Sequence, residues 1–337
     1  MASDWFAKLV GFDEDGYAAT RRRLLVEGDE LVSTVNDKRY GIGSLSMPTL
    51  AELRSRVAVP EGGRSAVDHV IGDARALHSE PEFEGALFQV ASQFNLLEMT
   101  GPSVTPEDGV TRYAGDPTQG PACAMAAGAA TIYRNYFAPV DGAPGQTRTR
   151  QLDGLGPLGA ALSSKLGRPV SELWSMRNGY ALCTERGLDA IANLLADCTD
   201  AERDELRSQL AIGVHREVEV TDVRDGRRLV SQAFCSALPV AYGEGRRSQW
   251  EAFARLVLEA SYEATLLTAV EHSAAGGSNA VLLTRVGGGV FGNADEWIDG
   301  AIVRALGIVE HAGLDVRLVS RGQVHPSSRA IAERFDG

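Results

Sequence analysis

No Cys-x-x-Cys pair, no HxH or HExxH spacing and no run of about 18 apolar residues occurs in this chain, and each absence removes a class of function. The four cysteines, Cys123, Cys183, Cys198 and Cys235, stand apart inside segments patterned as helix or strand. That argues for buried free thiols rather than a disulfide framework or a zinc ribbon. The six histidines show no ligand spacing, so no transition-metal site is expected. Without a long apolar run no membrane span is expected. The opening MASDWFAKLVGFDED carries acids where a signal peptide carries a basic stretch, which points to a cytoplasmic protein. Basic charge is in deficit as well. With 33 Lys and Arg against 45 Asp and Glu the net charge is −12, which opposes extended nucleic-acid binding. The short basic clusters Arg21-Arg22-Arg23, Arg227-Arg228 and Arg246-Arg247 read as surface or turn charge.

What is present is a globular composition, 44% hydrophobic, and one distinctive segment, VLLTRVGGGVFGN from Val281 to Asn293. A buried strand there runs into Gly287, Gly288 and Gly289, then Val290, Phe291, Gly292 and Asn293. Glycines let backbone N–H groups approach an anion closely, and a helix expected from about Asp295 would aim its N-terminal dipole at the same place. The pattern is that of a phosphate cradle at the carboxyl end of a parallel strand. Plain tight packing produces similar turns.

Along the chain, residues 1–65 read as an accessory layer: a hairpin from LLVEGDELVSTV through a turn at Asn36-Asp37 to KRYGIG, then a helix opened by Pro48. PEGGR (60–64) reads as a linker. From Ala66 short apolar strands alternate with helices, the signature of a mostly parallel sheet covered on both faces. AVDHVIGD and GALFQVAS are the first two strands. A polar loop, 98–119, leads to one alanine-rich helix beginning at Gly120-Pro121. Residues of about 140–213 read as a helical insertion, with helices around VSELWSMR, LDAIANLLAD and DAERDELRSQLAI, the last capped by Asp200. A strand pair follows around the turn Asp225-Gly226, then a long amphipathic helix carrying Trp250, Phe253, Val257, Ala260, Ala264 and Leu267. The chain closes with the glycine-loop strand, a helix, the strand LDVRLVS and a polar tail.

Three landmarks in order, HVIGDARAL (69–77), VASQFNLLE (90–98) and TRVGGGVFGN (284–293), resemble those of a divergent macro domain. The resemblance covers about 66–100 and 229–320. It implies an α/β fold with a three-layer, mixed sheet and helices on both faces, to which the N-terminal layer and the helical insertion are additions. It further implies that ADP-ribose or an ADP-ribosylated substrate is the partner. Asp73 would accept from the adenine amino group and Asn95, with Gln93 beside it, would contact the distal ribose. Gly287 to Gly292 would hold the diphosphate, and Phe291 would lie over the distal ribose. Each residue also has a structural use: Asp73 as a helix cap, Asn95 as a turn former, Phe291 as core.

The sequence departs from hydrolytic macro domains in one respect. The glycine run with a nearby acid after the asparagine loop is missing, as is the glycine-rich acidic motif of poly(ADP-ribose) glycohydrolases, so cleavage of the polymer is not implied. If the site is catalytic, a loop carboxylate must act on water at the anomeric carbon. Glu98, Glu107, Asp108 and Asp116 are available. Asp116 and Asp108, with Asn95, are the leading catalytic candidates, and Gln119 lies at the helix opening beside them. Arg112, Tyr113, Tyr133 and Arg134 are further possible lining residues, Arg134 reading rather as a surface or inter-element ion pair. The reading is hydrolysis of an ADP-ribosyl linkage without nicotinamide or metal. A noncatalytic nucleotide sensor and a protein processing phosphorylated ADP-ribose are its alternatives.

Overall fold

The computed structural model describes residues 5–223 and 226–335. Its centre is a seven-stranded sheet, numbered here in chain order: β1 Ser44–Ser46, β2 Ala66–Ile71, β3 Leu87–Ala91, β4 Gly213–Glu219, β5 Leu229–Cys235, β6 Ala280–Leu283 and β7 Asp315–Ser320. The spatial order is β1-β4-β5-β3-β6-β7-β2. The five strands from β5 to β2 run parallel, whereas β4 pairs antiparallel with both β5 and β1.

Strand β3 shows why both faces are covered. Phe88 and Val90 pack toward the helical side that carries Leu77, Ala122 and Ala130, while Leu87 and Gln89 point the other way. On the first face lie α1 Gln119–Ala126 and α2 Gly128–Tyr136. The single helix expected there is broken at Ala127 (ψ 58). A Cβ at Gly128 would stand 2.8 Å from the Trp5 ring, so the break seats the chain against the N-terminal helix Trp5–Val10. Within the insertion lie α3 Glu185–Asp197 and α4 Asp200–Ser208. The cap of α4 is Thr199, in a box with Glu202, rather than Asp200. The other face is covered by the 28-residue α5 Arg247–Ala274 and by α6 Asp295–Ile308.

Several expected elements take another form. WSMR is a strand, Trp174–Arg177, that pairs with Tyr180–Cys183 across the Asn178-Gly179 turn, where both residues have positive φ. The polar tail carries a helix, Pro326–Phe335. Thr49 rather than Pro48 caps Leu50–Arg56, through a capping box with Glu52. Asp225 of the expected turn lies outside the described residues. The first 65 residues form a three-stranded sheet, Leu24–Glu27, Glu30–Ser33 and Arg39–Gly41, but also supply edge strand β1 to the main sheet. They are further tied in by charge: Arg54 and Arg304 both hold Glu263, which is 3% exposed on α5. Of this set Glu263 alone is buried; both guanidiniums are partly exposed and also reach Asp204. No helix among the described residues is long and apolar enough to cross a membrane.

Candidate functional site

Where β3, β5 and β6 end, their carboxyl ends open into a cavity of about 530 Å³, within the range of small-molecule sites. Two loops face each other across it.

The first follows β6. Tyr262 of α5 anchors its start, donating to the Thr284 carbonyl at 2.6 Å and accepting from the Val286 N–H at 2.9 Å. Gly287 turns the chain at φ 78°, where a Cβ would lie 2.4 Å from that of Ala237. Asn293, buried, closes the turn by donating to the carbonyls of Leu238 (2.9 Å) and Gly287 (3.3 Å). Between these fixed points the N–H groups of Gly289, Val290 and Phe291 have no hydrogen-bond partner among the described residues. Gly289, Val290 and Phe291 line the cavity, and a Cβ at Gly289 would meet nothing within 4 Å. Three unused amides on a glycine turn form an anion nest. The helix dipole expected behind it is spent elsewhere. Asp295 and Glu296 occupy the first turn of α6, and Asp295 pairs with Arg285 at 2.7 Å. The helix that opens onto the cavity is instead α1, whose Gln119 and Gly120 N–H groups have no hydrogen-bond partner among the described residues and whose Thr118 makes no side-chain cap. Gly120 is required there by closeness, since a Cβ would stand 2.0 Å from the Ala91 carbonyl oxygen.

The second loop runs from Gln93 to Gly120. Gln93 lines the cavity and accepts from the Met99 N–H at 2.7 Å. Asn95 does not line it. Fully buried, Asn95 accepts from the Leu97 N–H (3.1 Å) and donates to Gln151 (2.9 Å), which donates in turn to Asn178 (2.8 Å). Its role is to brace the loop against the insertion. Asp108 is exposed and closes a capping box on Thr105, outside the cavity. Glu107 accepts from the Arg148 N–H, and Arg112 pairs with Asp108 at 3.9 Å. Asp116 does line the cavity, with one oxygen accepting from the Thr118 N–H (2.8 Å) and hydroxyl (2.6 Å). Gln119 also lines it, its amide bridging Ala91 N and Gln89 O. Asp73 caps the short helix Ala74–Leu77 and lies in a smaller adjoining depression with Arg321, joined to the main cavity through Pro117, Thr118, Gln119 and Thr284.

Glu98 is the carboxyl that stands out. It lines the cavity at 1% exposure, and neither of its oxygens has a hydrogen-bond partner among the described residues. Its ion-pair partner, Arg134, stands 3.7 Å away. Arg134 is itself fully buried, donating to the Leu96 carbonyl (3.1 Å) and lying 3.9 Å over the Phe234 ring, so it is an inter-element pair but no surface one. Burial pushes Glu98 up to about 8 against the pull of Arg134. Buried Tyr113 supports the residue from behind by accepting from the Glu98 N–H at 3.1 Å. The signal for burial is in the run Leu96-Leu97-Glu98-Met99, an acid among apolar neighbours. Tyr180 and Tyr242 also line the cavity, packed around Phe291 at 5.3 and 5.8 Å. Tyr180 comes from the hairpin that the Asn178-Gly179 dipeptide marks.

No family model matches the chain, nor does any curated protein. Among solved structures it is similar to poly(ADP-ribose) glycohydrolase from Thermomonospora curvata, at TM-score 0.44 and 12% identity over 95% of this chain and 97% of that one. It is also similar to the glycohydrolase from Deinococcus radiodurans in complex with ADP-ribose, at TM-score 0.44 and 12% identity over 87% and 94%. The T. curvata enzyme bound to the inhibitor ADP-HPD gives 0.42 and 13% over 95% and 98%. Likeness at this level carries no argument about chemistry, which rests on the cavity itself.

Proposed function

We propose that this cavity binds ADP-ribose or an ADP-ribosyl derivative and hydrolyses the ADP-ribosyl linkage, with Glu98 as its acid. The observation that carries the reading is the pairing, across one cavity, of a nest of free amides suited to a diphosphate with a buried carboxyl whose oxygens have no hydrogen-bond partner among the described residues and only Arg134 as a neighbouring charge. A carboxyl that titrates near 8 holds its proton at neutral pH. It can pass that proton to the group leaving the anomeric carbon, as glycoside hydrolysis requires, and Arg134 then stabilises the carboxylate left behind. Asp116, which lines the same cavity and keeps one oxygen without a hydrogen-bond partner among the described residues, would orient the attacking water in this reading. Asp73 and Arg321 border the end where the adenine would lie.

Thermal unfolding with and without ADP-ribose, using AMP as control, tests the binding half, because a ligand held only by the folded chain raises its stability by mass action. A shift of several degrees with ADP-ribose and little with AMP is expected; equal shifts, or none, would remove the nucleotide from this cavity. Binding without turnover of any ADP-ribosylated amino acid or nucleotide would leave the noncatalytic sensor as the function.

A further inference from the structure

Strand order gives the cavity a direction. Asp73 and Arg321 follow β2 and β7 on one side, Ala237 and Tyr242 follow β5 on the other, and the glycine loop and Glu98 lie between them after β6 and β3. A ligand lying along the strand ends with its adenine toward Asp73 therefore presents its opposite end, where the ribose carries its acceptor, to Tyr242. That wall is aromatic. Tyr242 is 38% exposed, and its hydroxyl has no hydrogen-bond partner among the described residues. Its ring meets Tyr180 at 5.4 Å and 57° and Phe291 at 5.8 Å and 72°, so neither neighbour lies parallel to it. Behind it, Tyr180 donates to the Met99 carbonyl at 2.7 Å, which fixes this wall beside the segment that carries Glu98.

We infer that Tyr242, backed by Tyr180 and Phe291, is a stacking platform for a planar aromatic group attached to the distal ribose. The favoured ligands are then ADP-ribosyl groups carried on an aromatic ring nitrogen rather than on an aliphatic side chain. The inference rests on the ADP-ribose reading of the same cavity. Two sources share this chemistry, the nicotinamide of NAD and a nucleobase.

Calorimetric titration of the full chain with ADP-ribose, NAD and a nucleoside ADP-ribosylated on a ring nitrogen separates them. At least one aromatic carrier is expected to bind roughly tenfold tighter than ADP-ribose, the scale of a base stacked on an aromatic side chain. Tyr242→Ala is expected to bring the ratio of the two Kd values, aromatic carrier against ADP-ribose in the same variant, to about one, and Tyr242→Phe to keep the native ratio. A preference confined to NAD assigns the nicotinamide, and one confined to the nucleoside conjugate assigns the base. ADP-ribose binding with no preference for either aromatic carrier, or a preference that survives Tyr242→Ala, overturns the platform. Failure of ADP-ribose itself to bind overturns the ligand reading, and the platform with it.

Discussion

The two loops that face each other across the cavity are built by different means. In the glycine loop the backbone does the shaping: Gly287 and Gly292 take positive φ, Tyr262 and Asn293 pin the ends, and three N–H groups are left over. In the loop from Gln93 to Gly120 side chains do it, through contacts far apart in sequence. Asn95 reaches Gln151, Tyr113 supports Glu98, and Glu14 accepts from the N–H groups of Val110 and Thr111 at 2.9 and 2.7 Å. A backbone-made site advertises itself locally, whereas a side-chain-made site is defined by partners that local sequence does not name.

The largest expected effect falls on the side-chain loop. Glu98→Gln keeps the shape and removes the proton, so turnover of an ADP-ribosyl substrate should fall about 10²–10⁴-fold with Kd little changed. Unchanged turnover would separate the buried carboxyl from catalysis. On the opposite loop, Gly289→Glu places a carboxylate in open space beside the amide nest. ADP-ribose affinity should drop on the order of a hundredfold while the unfolding midpoint moves little, and retained affinity would put the phosphates elsewhere.

Stability against pH distinguishes the loops again. Glu98 is protonated in both folded and unfolded chains below about 4.5; between there and about 8 the unfolded chain sheds a proton that the folded one keeps. Rising pH should therefore cost up to about 1.4 kcal/mol per unit across that window, with the full stability present only below it. Glu98→Gln should remove this slope in denaturant titrations at a series of pH values, and an unaltered slope would assign it to other groups. The smallest effect is expected at Asp108→Ala, which loses a cap worth about 1 kcal/mol and should leave turnover as it was.

The same division explains what could be read in advance. The alternation of strands and helices and the glycine turn are local patterns, and the layered sheet follows from them. The Asn178-Gly179 turn was equally legible as a hairpin signal, yet the helix-like spacing of VSELWSMR competed with it, and Tyr180 went with it. Asn95 and Asp108 satisfy the chemistry asked of a ribose contact and a base, but Gln151 and Thr105 occupy them. Edge strand β1 lies within the segment read as accessory because its partner, β4, comes about 170 residues later.

The most direct test is the carboxyl infrared difference spectrum of the native chain minus Glu98→Gln, recorded from pH 4 to 9 with and without ADP-ribose. The account predicts a protonated carboxyl band that persists at pH 7, vanishes near pH 8 and shifts when ADP-ribose binds. A band lost near pH 4.5 and indifferent to the ligand would contradict it.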